Sequence, residues 1–336
     1  MKNKRFLIIV SVIAIIVFSV TLLGSGESET PKEVNNNQNA SNNEPNNSDS
    51  SNDKEGNENE TKVFEIGDVV KMGDLNFAVN GIHLSDGSDF IKPDEGYKFL
   101  MLDISIKNTG EEFENISSLM MFKLVDDEGI SYDISLADTK GQVDGKMAPG
   151  RRLRGEIAFE VPNNIEQFEL EINPQIWNKG LIIVNIPISS AGQNYTGAFA
   201  NDTTSGVEHF NINDTVEAGD LDFSVNGVRT SDGSSFSKPD EGNQFLIVEV
   251  TINNNGGESE NISSMMMFKL VDNEGISYNQ SIMADTKGSV DGELGAGRKM
   301  RGEIAYEVPK NISKFELEIT PHLMQDELIV IDIPVE

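Results

Sequence analysis

Apolar and polar residues alternate along several short stretches of the chain. Every second residue is apolar in 100–106, 157–161 and 168–172, and 181–186 is predominantly apolar. This period of two predicts half-buried β-strands, and the Asp-Asp-Glu-Gly sequence at 126–129 predicts a hairpin turn. Because no long stretch has helical periodicity, a set of about seven short strands predicts a two-sheet β-sandwich.

The same pattern occurs twice in the chain. The motif MFKLVD at 121–126 recurs at 267–272, and RGEIA at 154–158 recurs at 301–305. In the second copy, the segment between these two blocks is one residue longer than in the first. A repeat of this length predicts two domains rather than a solenoid. We therefore predict β-sandwich repeat 1 over 63–189, a connector over 190–211 and β-sandwich repeat 2 over 212–336.

The N-terminus has the pattern of an export signal. Residues 6–23 carry no charge, and three basic residues precede them within 1–5. A helix of that length is about 27 Å long, which is enough to cross a bilayer. The basic residues predict a cytoplasmic N-terminus with the domains outside. Residues 1–23 are either a signal anchor or a signal peptide: the protein is a single-pass cell-membrane protein, or is secreted if the segment is cleaved.

A polar tract follows this apolar segment. Residues 24–62 contain 11 asparagines together with many serines and acidic residues. Such a composition buries almost nothing, so it predicts a disordered Asn/Ser/Glu-rich spacer.

Composition and charge exclude several classes of function. The chain contains no cysteine, which excludes disulfides, thiol nucleophiles and cysteine-based metal sites. Its formal net charge is −30, a field that repels nucleic-acid phosphates. We therefore expect no nucleic acid among the partners.

A string of motifs carries a family resemblance. KPDEG at 92–96, FKLVDDEG at 122–129, the segment 149–162 and FELEI at 168–172 follow one another in order. In this order they resemble the domain of unknown function 4352, an immunoglobulin-like extracellular domain, and are similar to the mycobacterial immunoprotective extracellular protein. The resemblance covers both repeats and implies a β-sandwich on a secreted or surface-anchored prokaryotic protein. It implies no activity and no catalytic residues. Many relatives are single-domain lipoproteins, whereas this chain has a tandem copy and Ser25 at the lipidation position.

The predicted fold class is therefore all-β. Two tandem immunoglobulin-like β-sandwiches follow an N-terminal transmembrane helix and a disordered spacer.

The longest polar connection in each repeat is the candidate contact surface. It runs over 137–151 and 284–298, contains acids, a lysine and glycines, and leads into an arginine-bearing strand. Loops and strand edges carry recognition in sandwiches. The predicted binding residues are Asp138, Lys140, Asp144, Arg151 and Arg154, with Asp285, Lys287, Asp291, Arg298 and Arg301 in repeat 2. In the alternative, the arginines only brace the loop through salt bridges to Asp138 or Asp144.

Two further features have two readings each. The carboxylates of one loop offer oxygen ligands to calcium, the only cofactor considered, although Asp, Gly and Ser are also turn residues. These carboxylates belong to Asp86, Asp89, Asp94 and Glu95.

The Met-rich stretches 119–122 and 265–268 are predicted to fill the core, the alternative being an adaptable binding face.

Catalysis is not expected. None of the three histidines, His83, His209 and His322, recurs in the other repeat, and no hydrolase motif is present. The leading prediction is a non-catalytic, extracellular, surface-anchored binding or interaction module. Its partner would be a protein, a glycan or a cell-envelope component, and the N-terminal helix would contact the membrane. The first alternative is an accessory or sensory ectodomain that modulates a membrane partner. A secreted hydrolase is the less favoured second alternative.

Overall fold

The structure is a computed structural model that describes most of the two repeats. The described residues are 31–33, 62–174, 180–192, 197–200, 202, 207–234, 237–322 and 325–335. The predicted membrane segment 6–23 lies outside them, as does the predicted spacer apart from 31–33 and 62. Within the described part of the chain, no helix has the length and apolarity needed to cross a membrane.

Repeat 1 consists of short strands with one α-helical turn, α1 (Ser118–Met121), and one 3-10 turn (Ile188–Ser190). Its strands are β1 (Lys32–Glu33), β2 (Val63–Phe64), β3 (Val69–Met72), β4 (Leu75–Ser85), β5 (Tyr97–Asn108), β6 (Glu114–Ile116), β7 (Phe122–Asp126), β8 (Ser131–Tyr132), β9 (Gly145–Met147), β10 (Arg152–Pro162), β11 (Gln167–Ile172) and β12 (Ile182–Pro187). One sheet has the order β1-β3-β4-β5-β10 and the other β2-β12-β11-β7-β8. Strands β6 and β9 form a separate pair.

Repeat 2 has the same plan and one helical turn, α2 (Ser264–Met267). Its strands are β13 (His209–Phe210), β14 (Thr215–Ala218), β15 (Leu221–Ser231), β16 (Asn243–Asn254), β17 (Glu260–Ile262), β18 (Phe268–Asp272), β19 (Ser277–Tyr278), β20 (Gly292–Leu294), β21 (Lys299–Pro309), β22 (Lys314–Ile319) and β23 (Ile329–Pro334). Its sheets have the orders β14-β15-β16-β21 and β13-β23-β22-β18-β19, with β17 paired to β20.

Each repeat has a hydrophobic core of its own between its two sheets. In repeat 1, Leu102 of β5 lies between Ile82 of β4 and Ile157 of β10, and all three are buried. The opposite sheet supplies the alternating residues of β11, of which Phe168 and Leu170 are fully buried. A separate cluster fills repeat 2. The prediction of an all-β chain with tandem β-sandwiches is confirmed.

An aspartate holds the predicted hairpin turn at 126–129. The Asp126 Oδ1 atom accepts backbone hydrogen bonds from Glu128 at 3.0 Å and Ile130 at 2.8 Å, and Tyr132 donates its hydroxyl to Oδ2 at 2.9 Å. Burial alone would raise the pKa of Asp126, but these hydrogen bonds stabilise the charged form and lower the pKa overall. Gly129 closes the turn with a φ of 82°, which favours glycine.

The Met-rich stretches are not continuous strands. Residues 118–121 form the single turn α1, whose geometry turns Leu119 and Met120 outward with exposed fractions of 68% and 59%. Met121 is buried and continues into Phe122 of β7. The prediction that this stretch fills the core therefore holds only for Met121 and Phe122. The helical period, rather than the strand period of two, decides which side chains face inward.

A short piece of the predicted spacer lies against the first sheet. Strand β1 pairs antiparallel with β3, with Lys32 opposite Lys71 and Glu33 opposite Val70. The Lys62 Nζ atom lies 2.9 Å from the Glu33 Oε2 atom. An open sheet edge binds a segment through backbone hydrogen bonds, which do not require apolar side chains.

The separate cores generate a prediction that uses the repeat as its own control. Leu170→Ala and Leu317→Ala remove the same fully buried side chain from β11 and β22. Each change should lower the free energy of unfolding of its own repeat by about 2–5 kcal/mol, because it leaves a cavity. Hydrogen-exchange mass spectrometry of the intact chain measures the two repeats separately. Equal acceleration of exchange in both repeats by either variant would contradict separate cores.

Candidate functional site

Arg151, a predicted binding residue, is buried between the two repeats. Its Nε and Nη2 atoms donate hydrogen bonds to Glu318 Oε1 at 3.0 and 2.5 Å, and Nη2 also donates to Glu316 Oε2 at 2.7 Å. The Arg151 side chain is only 5% exposed, and each glutamate side chain is 12% exposed. Burial alone would lower the pKa of Arg151, but the charges of Glu318 and Glu316 raise it overall. The guanidinium is therefore a permanent cation held by two carboxylates of the other repeat.

Arg154 joins the two repeats through both its side chain and its backbone. The side chain pairs with Asp103 of its own repeat at 2.7 Å and with Glu274 of repeat 2. Its backbone N–H donates to the Gly275 carbonyl at 2.9 Å, and Arg154 forms a parallel β-bridge with Ile276. Strand β10, at the edge of its sheet, therefore docks on the hairpin between β18 and β19.

Further contacts extend this interface to either side of β10. Arg152 donates to the carbonyl oxygens of Phe199 at 2.8 Å and Asp202 at 2.6 Å, and also to that of Asn273. The Lys146 Nζ atom lies 2.5 Å from Asp326 Oδ1. The two sandwiches are thus joined through the first residues of β10 and through Lys146.

Lys269 of repeat 2 lies beside the buried ion pairs. Burial lowers the pKa of Lys269; the Glu318 carboxylate opposes this shift, and the Arg151 guanidinium adds to it by repulsion. Four charged groups of both signs are therefore packed together where the repeats meet.

Sequence reasoning missed the repeat 2 side of this interface. Glu316 and Glu318 alternate with the buried Phe315 and Leu317 in β22, so both carboxylates point to one outer face. That pair of acids on a single face was the signal that could have identified the partner of Arg151. The predicted braces, Asp138 and Asp144, do not hold the arginines.

The counterpart arginines of repeat 2 have a different environment. Arg298 is exposed, and the side chain of Arg301 is 59% exposed and lies 2.7 Å from Glu249 of the same repeat. Identical residue types thus join two domains in repeat 1 and face solvent in repeat 2.

The loop acids and lysines fall into two groups. Asp144 accepts hydrogen bonds from the Ser118 N–H at 2.7 Å and hydroxyl at 2.8 Å, and Asp291 accepts the same pair from Ser264 at 2.7 and 3.0 Å. These two aspartates therefore anchor the helical turns. The other predicted loop residues have exposed side chains, namely Asp138, Lys140, Asp285 and Lys287.

Two clefts are lined by residues of both repeats. One, of about 490 Å³, is lined by Lys146 and Gln142 of repeat 1 and by Met265 and Met266 of repeat 2. Another, of about 700 Å³, is lined by the predicted residue Lys140 opposite repeat 2 residues such as Glu274. Met265 and Met266 are 76% and 59% exposed, so they present apolar surface at the first cleft.

Two groups of residues are candidate cation sites: one found in the structure around His209, and the predicted calcium loop. In the described part of the chain, His209, Glu316 and Asp332 are the group whose ligand atoms all lie within 4.8 Å of one another. Arg151 and Lys314 already neutralise Glu316 and Asp332 in this group. The predicted calcium ligands Asp86, Asp89, Asp94 and Glu95 do not form such a group among the described residues. Their loop is held by the Asp94 N–H, which donates to Glu160 at 2.6 Å, and by the Ser88 N–H, which donates to the Ile91 carbonyl at 2.7 Å. Calcium binding in this loop stays a prediction.

Each histidine faces a carboxylate rather than forming part of a repeated catalytic group. His209 Nδ1 lies 3.0 Å from Asp332, while His83 and His322 lie 3.8 Å from Glu156 and Glu327. In repeat 2, the position of His83 is occupied by Arg229, which pairs with Glu303 at 2.8 Å. Burial would raise the pKa of Glu303, but the hydrogen bond from Arg229 is the larger effect and lowers it.

Solved structures that match part of this chain come from several bacteria. The yjhA protein from Bacillus subtilis is 24% identical, and the match covers 38% of this chain and 99% of that chain with a TM-score of 0.30. An uncharacterized β-sandwich protein from Clostridium difficile 630 is 15% identical over 39% of this chain and 99% of that chain, with a TM-score of 0.30. The secreted protein MPT63 from Mycobacterium tuberculosis is 15% identical over 38% and 99%, also with a TM-score of 0.30.

The curated proteins include no significant match to the chain. The sequence model of one family matches it twice, over residues 64–183 and 210–330, which together make up more than half of the chain. These two matches coincide with the two sandwiches. The chain therefore belongs to the family described as Domain of unknown function (DUF4352), of which it carries two tandem copies.

Proposed function

We propose that the chain is a non-catalytic interaction module of the cell envelope, in which two fixed sandwiches present the cleft between them to a protein partner. The observation that carries this proposal is the exposed methionine pair, Met265 and Met266, at a cleft lined by both repeats. Methionine side chains are flexible and polarisable, which suits them to adaptable contacts. Exposed apolar side chains at a cleft are typical of interaction sites.

The buried ion pairs support the proposal because they give the cleft a fixed shape. Arg151 connects the repeats through two glutamates, and Arg154 adds a backbone bridge. A cleft formed by two rigid bodies loses less conformational freedom on binding than one between mobile domains. The exposed loop residue Lys140 lines the second cleft, and the exposed Asp138 lies two residues before it, so this loop presents acidic and basic groups beside that cleft.

The proposed location is outside the cytoplasm, held by the apolar segment 6–23. The basic residues before that segment and the long polar tract 24–62 support this arrangement.

The location is tested by protease added to intact cells. Both repeats should be digested, because they lie outside the membrane, whereas a cytoplasmic marker protein should survive. Protection of the repeats until the cells are lysed would contradict the proposed topology.

The buried ion pair predicts a large difference between equivalent arginines. Arg151→Gln should lower the free energy of unfolding by about 3–5 kcal/mol, since it leaves two buried carboxylates without their cation. Arg298→Gln, at the exposed counterpart, should change it by less than about 0.5 kcal/mol. Urea denaturation measures both values.

Small-angle X-ray scattering of the same variants tests the fixed shape. Arg151→Gln should broaden the distribution of distances between the repeats, and Arg298→Gln should leave it unchanged. Equal effects of the two changes in either experiment would contradict a stabilising role for the buried pair.

The methionine pair predicts the loss of partner binding. Met265→Ser combined with Met266→Ser should abolish capture of envelope proteins in dilute solution, because it removes the exposed apolar surface at the cleft. The matched control is Leu119→Ser combined with Met120→Ser, at the equivalent exposed turn of repeat 1. Mass spectrometry of the captured proteins, with melting curves of both variants, gives the result.

Capture that survives the cleft change, or that fails equally with the control, would contradict the proposed site. Capture of glycan fragments without any protein would replace the proposed partner class.

A further inference from the structure

The contact between the two repeats joins different surfaces of the same domain type. One surface, the basic edge, lies along β10 of repeat 1 and consists of Arg151, Arg152 and Arg154. The other, the acidic face, lies on β22 and the β18–β19 turn of repeat 2 and consists of Glu274, Glu316 and Glu318. Since the two repeats align over nearly their whole length, each repeat carries both surfaces. The chain uses one of each internally.

Among the described residues, the second copy of each surface forms no ion pair or hydrogen bond with the other repeat. The basic edge of repeat 2 consists of Arg298, Lys299 and Arg301, and the acidic face of repeat 1 consists of Glu128, Glu169 and Glu171. The Arg301 side chain is 59% exposed, whereas its counterpart Arg154 is 12% exposed. Ile130, beside the free acidic face, is 51% exposed. An unused positive surface and an unused negative surface thus remain on one molecule.

The free basic edge has the same backbone register as the one in use. Arg154 lies opposite Ser105 in its sheet, and Arg301 lies opposite the equivalent Thr251. Two residues further on, the Glu156 and Glu303 N–H groups both donate outward to loop carbonyls. The Arg301 N–H therefore points to the outer side of β21, as the Arg154 N–H does where it meets Gly275.

The free acidic face is already shaped for the same contact. Asp126 holds its turn with bonds of 3.0 and 2.8 Å, and Asp272 holds the turn of repeat 2 with bonds of 2.8 and 3.0 Å. The glycines Gly129 and Gly275 have φ values of 82° and 86°. The hairpin that accepts β10 in repeat 2 thus exists in the same conformation in repeat 1, before any partner is bound.

We infer that the partner of the free surfaces is a second copy of this chain, and that the chain assembles head to tail. The basic edge of repeat 2 docks on the acidic face of repeat 1 of the next molecule, repeating the internal contact. A contact between different surfaces does not close on itself after two copies, so it continues in one direction. The assembly is an open row of sandwiches or a ring of several copies.

The assembly should be weaker than the internal contact and sensitive to salt. Inside the chain, the connector supplies a high effective concentration, whereas separate molecules lose translational and rotational freedom. Many of its charges lie near solvent in the free chain, so ionic strength screens the encounter. Confinement to one surface by a common anchor would raise the local concentration.

The experiment measures the mass of the full chain in a mild non-ionic detergent by sedimentation at increasing protein concentration. The average mass should rise with concentration at low salt and fall toward the monomer at high salt. Arg298→Glu with Arg301→Glu, the basic-edge variant, should weaken this association at least about tenfold. Glu169→Arg with Glu171→Arg, the acidic-face variant, should do the same. Melting curves confirm that each variant is folded.

Mixing the two variants identifies the contact. The basic-edge variant keeps an intact acidic face, and the acidic-face variant keeps an intact basic edge. In the mixture, the intact basic edge of one variant can dock on the intact acidic face of the other, and the two reversed surfaces are complementary as well. Association that each variant lacks alone should therefore return in the mixture. A chain that carries all four changes should associate again, because both of its surfaces are reversed.

The opposite results overturn the proposal. A monomeric wild-type chain at all concentrations would do so, as would association that both charge reversals leave intact. A mixture that remains as monomeric as the separate variants would also exclude this contact. If the wild-type chain stays monomeric and the free surfaces instead bind another envelope protein, the occupant is not a second copy.

Discussion

The arrangement of the two repeats depends on one buried cation. Arg151 loses nearly all contact with water and instead donates hydrogen bonds to Glu316 and Glu318. Removing such a charge from water costs several kcal/mol, and only well-placed counter-charges offset that cost. Many other orientations of the repeats would leave the guanidinium or the carboxylates unpaired. The ion pair therefore selects one orientation more than it adds net stability.

The cleft and the β-bridge between the repeats depend on that single orientation. It brings Met265 beside Lys146 at a cleft that neither repeat forms alone, and it extends a β-bridge from Arg154 to Ile276. In this orientation, the contact between the repeats covers the basic edge of repeat 1 and the acidic face of repeat 2. The basic edge of repeat 2 and the acidic face of repeat 1 lie outside that contact. When a domain with two complementary surfaces is duplicated, one surface of each copy forms the internal contact. One basic edge and one acidic face then remain outside it.

The candidate site shows what a repeat can and cannot reveal. Arg151 and Arg298 are the same residue in the same local sequence, yet one is buried and the other exposed. Sequence reasoning singled out the arginine-bearing strand and its loop but assigned both arginines one role. The partners of Arg151 lie about 165 residues later in the chain, in a strand recognised only as an alternating one. Side chains so distant in sequence meet only through the packing of whole domains, which no local pattern encodes.

The sequence by itself determined the strand pattern, the duplication, the family and the absence of cysteine chemistry. These are properties of period, repetition and composition, which act within short windows of chain. The inward residues of β11, for example, follow from the alternation Phe168, Leu170 and Ile172. Only the tertiary structure decided that Leu119 points outward, that Lys32 extends a sheet edge, and that Arg151 joins two domains. Each of these outcomes depends on which surfaces meet in space, because burial, an open backbone edge and a counter-charge are supplied by distant parts of the chain.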